Sequence, residues 1–152
     1  MNPILIRPAN PADEPAIRAC ATAAYGPYIA AIGRPPAPMV ADFTAQIAAR
    51  QVHVATDRDG AFLGYVVFFP DGTAMHLEAV AVTPEAAGRG VGKLLIKFCE
   101  DEARRSGLSA VQLYTNQKMV ANLSIYPHLG FTETGRRSED GFERVYFEKA
   151  LT

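Results

Sequence analysis

The chain has little cysteine: Cys20 and Cys99 are the only two in 152 residues. Two are too few for a disulfide scaffold, and no C-x-x-C spacing offers a zinc or redox site. The count allows one Cys20–Cys99 bridge, but both residues fall on apolar helix faces and read as small core side chains. Charge of one sign is also missing. Fifteen basic residues stand against sixteen acidic, a net charge of −1, so a broad polyanion-binding surface is not expected and nucleic acid is not a partner. The longest apolar run, residues 61–70, falls far short of the roughly 20 residues of a membrane span. Residues 1–7 contain no long apolar stretch, so no secretory leader and no membrane partner are expected, and a soluble cytoplasmic location is the default. No repeat and no linker divides the sequence.

What is present is an apolar content of 49% with 20% charged residues, a globular composition. At this length one domain, 1–152, is expected to bury about two thirds of its unfolded surface without disulfide or metal. Ile4, Leu5 and Ile6 start a strand. Asn10-Pro11-Ala12-Asp13 is a helix start, with an asparagine cap, proline in the first turn and an acid after it. Ile17, Cys20, Ala21 and Ala24 follow at helical spacing. Residues 25–39 hold four of the eleven prolines and two exposed-looking tyrosines, Tyr25 and Tyr28. They read as an irregular segment before a short helix over 41–50.

Strands are expected at 52–56, 62–69 and 74–82, joined by turns at 57–60 and at Asp71-Gly72. The near-continuous apolar character of 62–69 points to burial on both faces. Alternation over 74–82 places His76, Glu78, Val80 and Val82 on one face. Val91, Leu94, Leu95, Phe98, Cys99 and Glu102 mark a helix face ending before Gly107. A strand with Val111, Leu113 and Thr115, a short helix over 119–126 and a closing hairpin around 138–141 complete the chain. The central strand–helix–strand unit favours a parallel pair flanked by antiparallel hairpins, a mixed α+β sheet.

Gly88-Arg89-Gly90-Val91-Gly92-Lys93 lies between the strand ending at Val82 and the helix starting near Val91. Glycine admits close backbone approach and positive φ. The first N–H groups of a helix and its dipole favour an anion there, and Arg89 and Lys93 add charge. A pyrophosphate is the natural occupant. The segment is not a P-loop, because Leu94 follows Lys93, and positions 93 and 95 break a dinucleotide fingerprint.

Leu77 to Pro84, Gly88 to Leu95, and Asn122 to Phe131 come in an order and at a spacing that resemble the GNAT family, the Gcn5-related N-acetyltransferases. The resemblance covers residues 4–151 and is concentrated over 74–131. It implies an acyl-CoA N-acyltransferase fold: a mostly antiparallel sheet with one splayed parallel pair, flanked by about four helices. It also implies acetyl-CoA as co-substrate and no metal. Gly88, Arg89, Gly90, Val91, Gly92 and Lys93 would hold the pyrophosphate. Val80, Ala81 and Val82 would align the pantetheine and the thioester, with strands 74–82 and 109–115 parting to admit it. Ala87 stands where the family carries Gln or Arg. Coenzyme A binding is still expected, because the loop binds mainly through backbone N–H groups.

Asn122 and Tyr126 lie four apart and share a helix face. By the resemblance, Asn122 contacts the cofactor arm and Tyr126 protonates the departing thiolate, a role that suits a phenol. Pro127 biases Tyr126 away from α geometry, so the helix is expected to end or kink there. Glu78 is the candidate base for the attacking amine, with His76 beside it. His53 and His128 read as structural. Tyr25, Tyr28, Arg34 and Met39 are the candidate acceptor contacts, with Arg34 able to hold a carboxylate. Arg136, Arg137, Arg144 and Tyr146 are assigned to the opposite wall or to a homodimer contact. The expected reaction is direct acetyl transfer to a primary amine of a small molecule or peptide. Two alternatives remain: a non-catalytic acyl-CoA-binding module, or a site for a different nucleotide.

Overall fold

A computed structural model describes residues 3–152. Met1 and Asn2, the start of the segment read for a leader, lie outside the described residues. Among the described residues no helix is long and apolar enough to cross a membrane. The elements are β1 (Leu5–Pro8), α1 (Glu14–Tyr25), a single-turn α2 (Ile29–Ile32), α3 (Phe43–Ala48), β2 (Val52–Thr56), β3 (Phe62–Asp71), β4 (Ala74–Val82), α4 (Val91–Arg105), β5 (Ala110–Asn116), α5 (Val120–His128), β6 (Thr132–Glu139) and β7 (Phe142–Ala150). The strands form one sheet in the order β1-β2-β3-β4-β5-β7-β6. Only β4 and β5 run parallel.

Local chemistry explains the joints. The Asn10 side chain accepts from the Ala12 N–H at 3.0 Å, and Asp13 returns the favour to the Asn10 N–H at 2.8 Å. Arg7 grips the same Asp13 at 2.8 and 2.9 Å, which holds the Asp13 carboxyl below its usual range. Asp57 Oδ1 accepts from the Asp59 and Ala61 N–H groups, both at 2.9 Å, to shape the β2–β3 turn.

Two apolar clusters cover the sheet. One joins α4, through Val91, Leu95, Ile96, Cys99 and Ala103, to Leu63, Val66, Phe68, Met75 and Leu77. The other joins Ile17, Cys20, Phe43 and Ile47 of α1 and α3 to Val52, Val54, Tyr65, Val67, Ala79 and Ala81. Strand β3 lies between them, buried without a break from Leu63 to Phe68, as its apolar run predicts. Both cysteines are free and buried, and burial pushes each thiol up to about 12, so neither is a nucleophile at neutral pH.

The buried stripe of α4 differs from the expected one. Leu94 is exposed, and residues 91, 95, 99 and 103 carry the contact, an i, i+4 row that runs obliquely along the helix. Glu100 joins this buried side, paired to Lys149 Nζ at 3.0 Å.

Candidate active site

The turn before α4 is built on left-handed backbone. Gly88 has φ +81° and Gly90, the N-cap of α4, has φ +79°, a region that favours glycine. The first helical bond here runs from the Leu94 N–H to the Gly90 carbonyl at 3.1 Å. The N–H groups of Val91, Gly92 and Lys93 therefore have no acceptor within the helix. A Cβ on Gly92 would stand 3.5 Å from Val82 Cγ2, so this helix start lies against the end of β4. Arg89 and Lys93 are exposed, and neither forms an ion pair among the described residues. Free amides, a helix N-terminus and two unpaired cations fit a pyrophosphate.

From this turn a groove runs along β4 toward α5, lined by Tyr28, Val80, Val82, Gly92 and Lys93. The gap exists because β4 and β5 pair over three positions only, from Ala74↔Ala110 to His76↔Gln112. Beyond His76 the two strands diverge. Val80 lies in that stretch, and Tyr25 takes its carbonyl, the phenol donating at 3.0 Å. Tyr25 is thus a buried strut of the groove rather than the exposed contact that its sequence context suggests. Burial raises its hydroxyl far above the usual phenol range.

The β3–β4 register jumps between Val67↔Ala79 and Phe68↔Leu77, leaving Glu78 as an extra residue. This bulge reverses the alternation. Met75 and Leu77 face the α4 cluster, whereas beyond the bulge Ala79 and Ala81 face the α1 side, and Val80 and Val82 pack toward α4. The expected common face of His76, Glu78, Val80 and Val82 is therefore corrected. His76 and Glu78 stay together, with Glu78 Oε2 2.7 Å from His76 Nε2. An ionised carboxylate can only accept, so Nε2 then carries the hydrogen.

Tyr126 closes the groove from the other side. Its ring packs edge-on to Phe131 at 5.6 Å and against Phe147 at 5.8 Å. Its residue is buried, and burial pushes the hydroxyl up to about 12. Pro127 does not end the helix: α5 continues to His128, and Leu129 is the cap. Pro127 lies in the last turn, which closes with the Phe131 N–H on the Tyr126 carbonyl at 3.1 Å and the Leu129 N–H on the Ile125 carbonyl at 3.2 Å. Asn122 shares the groove with Tyr126 and donates from Nδ2 to Thr115 Oγ1 at 3.1 Å. Its amide oxygen is left for another donor.

Tyr25, Val80, Asn122 and Tyr126 also border a second chamber, which shares these walls with the groove and is lined further by Glu78 and Tyr114. The other candidate acceptor contacts fall elsewhere. Tyr28 lines the groove, and Met39 packs on the α1–α3 cluster. Arg34 is already engaged: it donates to the Asp140 carbonyl in the β6–β7 turn and stacks 3.7 Å over the Phe142 ring. It ties the proline-rich segment 33–38 across the chamber. Of the hairpin residues, Arg136 pairs with Glu133 at 3.1 Å and Arg137 covers the Tyr146 ring at 4.4 Å.

Sequence reading missed Tyr114, Phe142 and the buried Pro36 as chamber walls. Tyr114 carried a usable signal, because it alternates with the core residues Leu113 and Thr115. For Pro36 and Phe142 nothing in the sequence marks the contact.

Residues 19–131 match the profile of the acetyltransferase (GNAT) family. Mycothiol acetyltransferase of Beutenbergia cavernae is 32% identical over 89 residues, 58% of this chain and 30% of that protein. IAA acetyltransferase of Azospirillum brasilense is 32% identical over 72 residues, 47% of each. The chain thus spans less than half the length of the curated relatives it matches. PaiA N-acetyltransferase of Thermoplasma acidophilum, solved in complex with coenzyme A, superposes with a TM-score of 0.77 at 17% identity, covering 98% of this chain and 99% of that one. The profile spans the splayed strands, the glycine turn and the Tyr126 helix together, and this chain belongs to the acetyltransferase (GNAT) family.

Proposed function

We propose that the chain binds acetyl-CoA and directs its acetyl group onto a primary amine of a small molecule or peptide, by direct attack with both partners bound. The observation that carries this reading is a row of adjoining sites with shared walls. It runs from the glycine turn with unacceptored amides, along the unpaired edge of β4, to Tyr126, and on to a chamber holding Glu78. The turn over residues 88–93 would hold the pyrophosphate, and the freed edge of β4 at Val80 to Val82 would align the arm. Asn122 would contact that arm through its amide oxygen. Acetyl-CoA supplies an activated thioester.

The chain's own residues manage protons. Glu78, oriented by His76, accepts a proton from the amine directly or through water. Tyr126 holds a hydroxyl hydrogen for the departing sulfur. Glu78 comes from strand β4 and Tyr126 from helix α5, so the amine would lose its proton on one side while the thiolate gains one on the other.

A CoA-release assay over an amine panel, paired with acetyl-CoA binding by calorimetry, tests the reading. Release that requires both substrates is the expected result. Tight acetyl-CoA binding with no release for any amine would make the chain a non-catalytic acyl-CoA-binding module. Thermal stabilisation by ATP or NAD but not by acetyl-CoA would remove the cofactor assignment.

A further inference from the structure

The chamber beyond Glu78 contains a cation without a close partner. Arg144 sits on β7 opposite Asn116 of β5, and its side chain is only 10% exposed. The guanidinium lies over the Tyr114 ring at 4.2 Å and 5.6 Å from the Phe142 centroid. Aromatic faces attract a cation but accept no hydrogen bond in the ring plane of its fork. The nearest carboxylate is Asp140 Oδ2 at 3.7 Å, too long for a hydrogen bond, on a side chain 82% exposed. Arg144 has no hydrogen-bond acceptor among the described residues. A largely buried guanidinium whose nitrogens stay accessible and whose five donors are free can take acceptors from a ligand.

Arg34 does not compete for this role, since the Asp140 carbonyl and Phe142 already occupy it. Across the chamber stands the opposite charge. Glu78 bonds His76, and the His76 ring lies 5.6 Å from Tyr114, the ring beneath Arg144. One aromatic column therefore carries a carboxylate near one end and a guanidinium at the other.

We propose that Arg144 binds a carboxylate on the acceptor, so that the amine acetylated belongs to an amino acid or another small amino-carboxylate. The planar fork matches a carboxylate with two parallel bonds. Glu78 receives the amine end, beside the His76 ring at the other end of the aromatic column. This inference rests on the acetyl-transfer reading above and specifies its substrate class.

The test follows CoA release with matched acceptors. One arm contains the standard amino acids, β-alanine and γ-aminobutyrate. The other contains their amides, methyl esters and decarboxylated amines. At least one acid is expected to exceed its own amide about tenfold or more in kcat/KM. Arg144→Gln should raise KM for that acid about tenfold while the KM for acetyl-CoA and the melting temperature hold, and Arg144→Lys should recover part of the loss. Best acceptors that lack a carboxylate, or an Arg144→Gln loss equal for acid and amide, would overturn the proposal. So would the absence of turnover with every acid. In that event, release with the carboxylate-free arm shows that acetyl transfer itself stands, and silence in both arms removes that reading too.

Discussion

Replacing Tyr126 by phenylalanine removes one oxygen and little else. The ring contacts to Phe131 and Phe147 remain, and the hydroxyl makes no hydrogen bond to the described residues, so the fold should hold to within about 1 kcal/mol. The kinetic effect should be large. Burial pushes the Tyr126 hydroxyl up to about 12, because the phenolate would lose its hydration. The group is therefore fully protonated at neutral pH and always ready to donate. The same burial forbids it to rest as an anion, so donation must be coupled to the arrival of another proton. Positioned acids contribute about 10²- to 10⁴-fold, or roughly 3–5 kcal/mol. Under saturating substrates kcat for Tyr126→Phe should fall by that factor, while calorimetry finds the acetyl-CoA Kd within about threefold of wild type. The wild-type rate should also show no loss assignable to this tyrosine below about pH 11. A variant that keeps kcat within about threefold would refute the acid role.

Gly90→Val forces a β-branched residue into φ +79°, a strain of about 1–2 kcal/mol. If the turn relaxes to relieve it, acetyl-CoA affinity should drop about tenfold by titration, and unchanged affinity would mean that the turn does not hold the cofactor. Gly64→Ala places a Cβ 2.6 Å from the Ala81 carbonyl oxygen. Overpacking against backbone of about 1–3 kcal/mol should lower the melting temperature by about 3–10 °C, and an unchanged midpoint would contradict the close approach of β3 to β4. His53 stacks on Phe68 at 5.4 Å, and burial lowers its pKa below 6.5. The unfolded chain then takes up the proton first, so stability present above pH 6.5 is lost as pH falls below it. Urea midpoints should decline between pH 7.5 and 5.5 in wild type and less in His53→Phe. Equal declines would place the acid sensitivity elsewhere.

Much of this molecule is local, and local features read well from sequence. The Asn10 cap, the Asp57 turn, the doubly buried β3 and the Gly88–Lys93 turn each follow from a few neighbouring residues. The features that escaped depend on what lies across the sheet. Perfect alternation over 74–82 hides the bulge, because only the register against β3 shows that Glu78 is the extra residue. Pro127 predicts a break, yet α5 runs one residue past it. The buried state of Tyr25 is set by the Val80 carbonyl, 55 positions away. Arg144 looks like any hairpin arginine until β7 inserts between β5 and β6 and carries it beneath the proline-rich roof.

That insertion divides the work between two lengths of chain. The glycine turn, the freed edge of β4 and Tyr126 all lie before residue 127. Arg144, Phe142 and the Asp140 carbonyl that anchors Arg34 come afterwards, on the final hairpin. On the proposed reading, the groups that would hold the donor all lie before residue 127, whereas the chamber takes walls from both lengths, Glu78 and Tyr114 from the first and Phe142 and Arg144 from the second. The hairpin can vary in length and charge while the strand β7 backbone, bonded to β5 along all seven residues of β5, keeps its place. On the proposed reading, change in the hairpin over residues 132–150 would alter the Arg144 end of the chamber and leave the glycine turn, β4 and Tyr126 untouched.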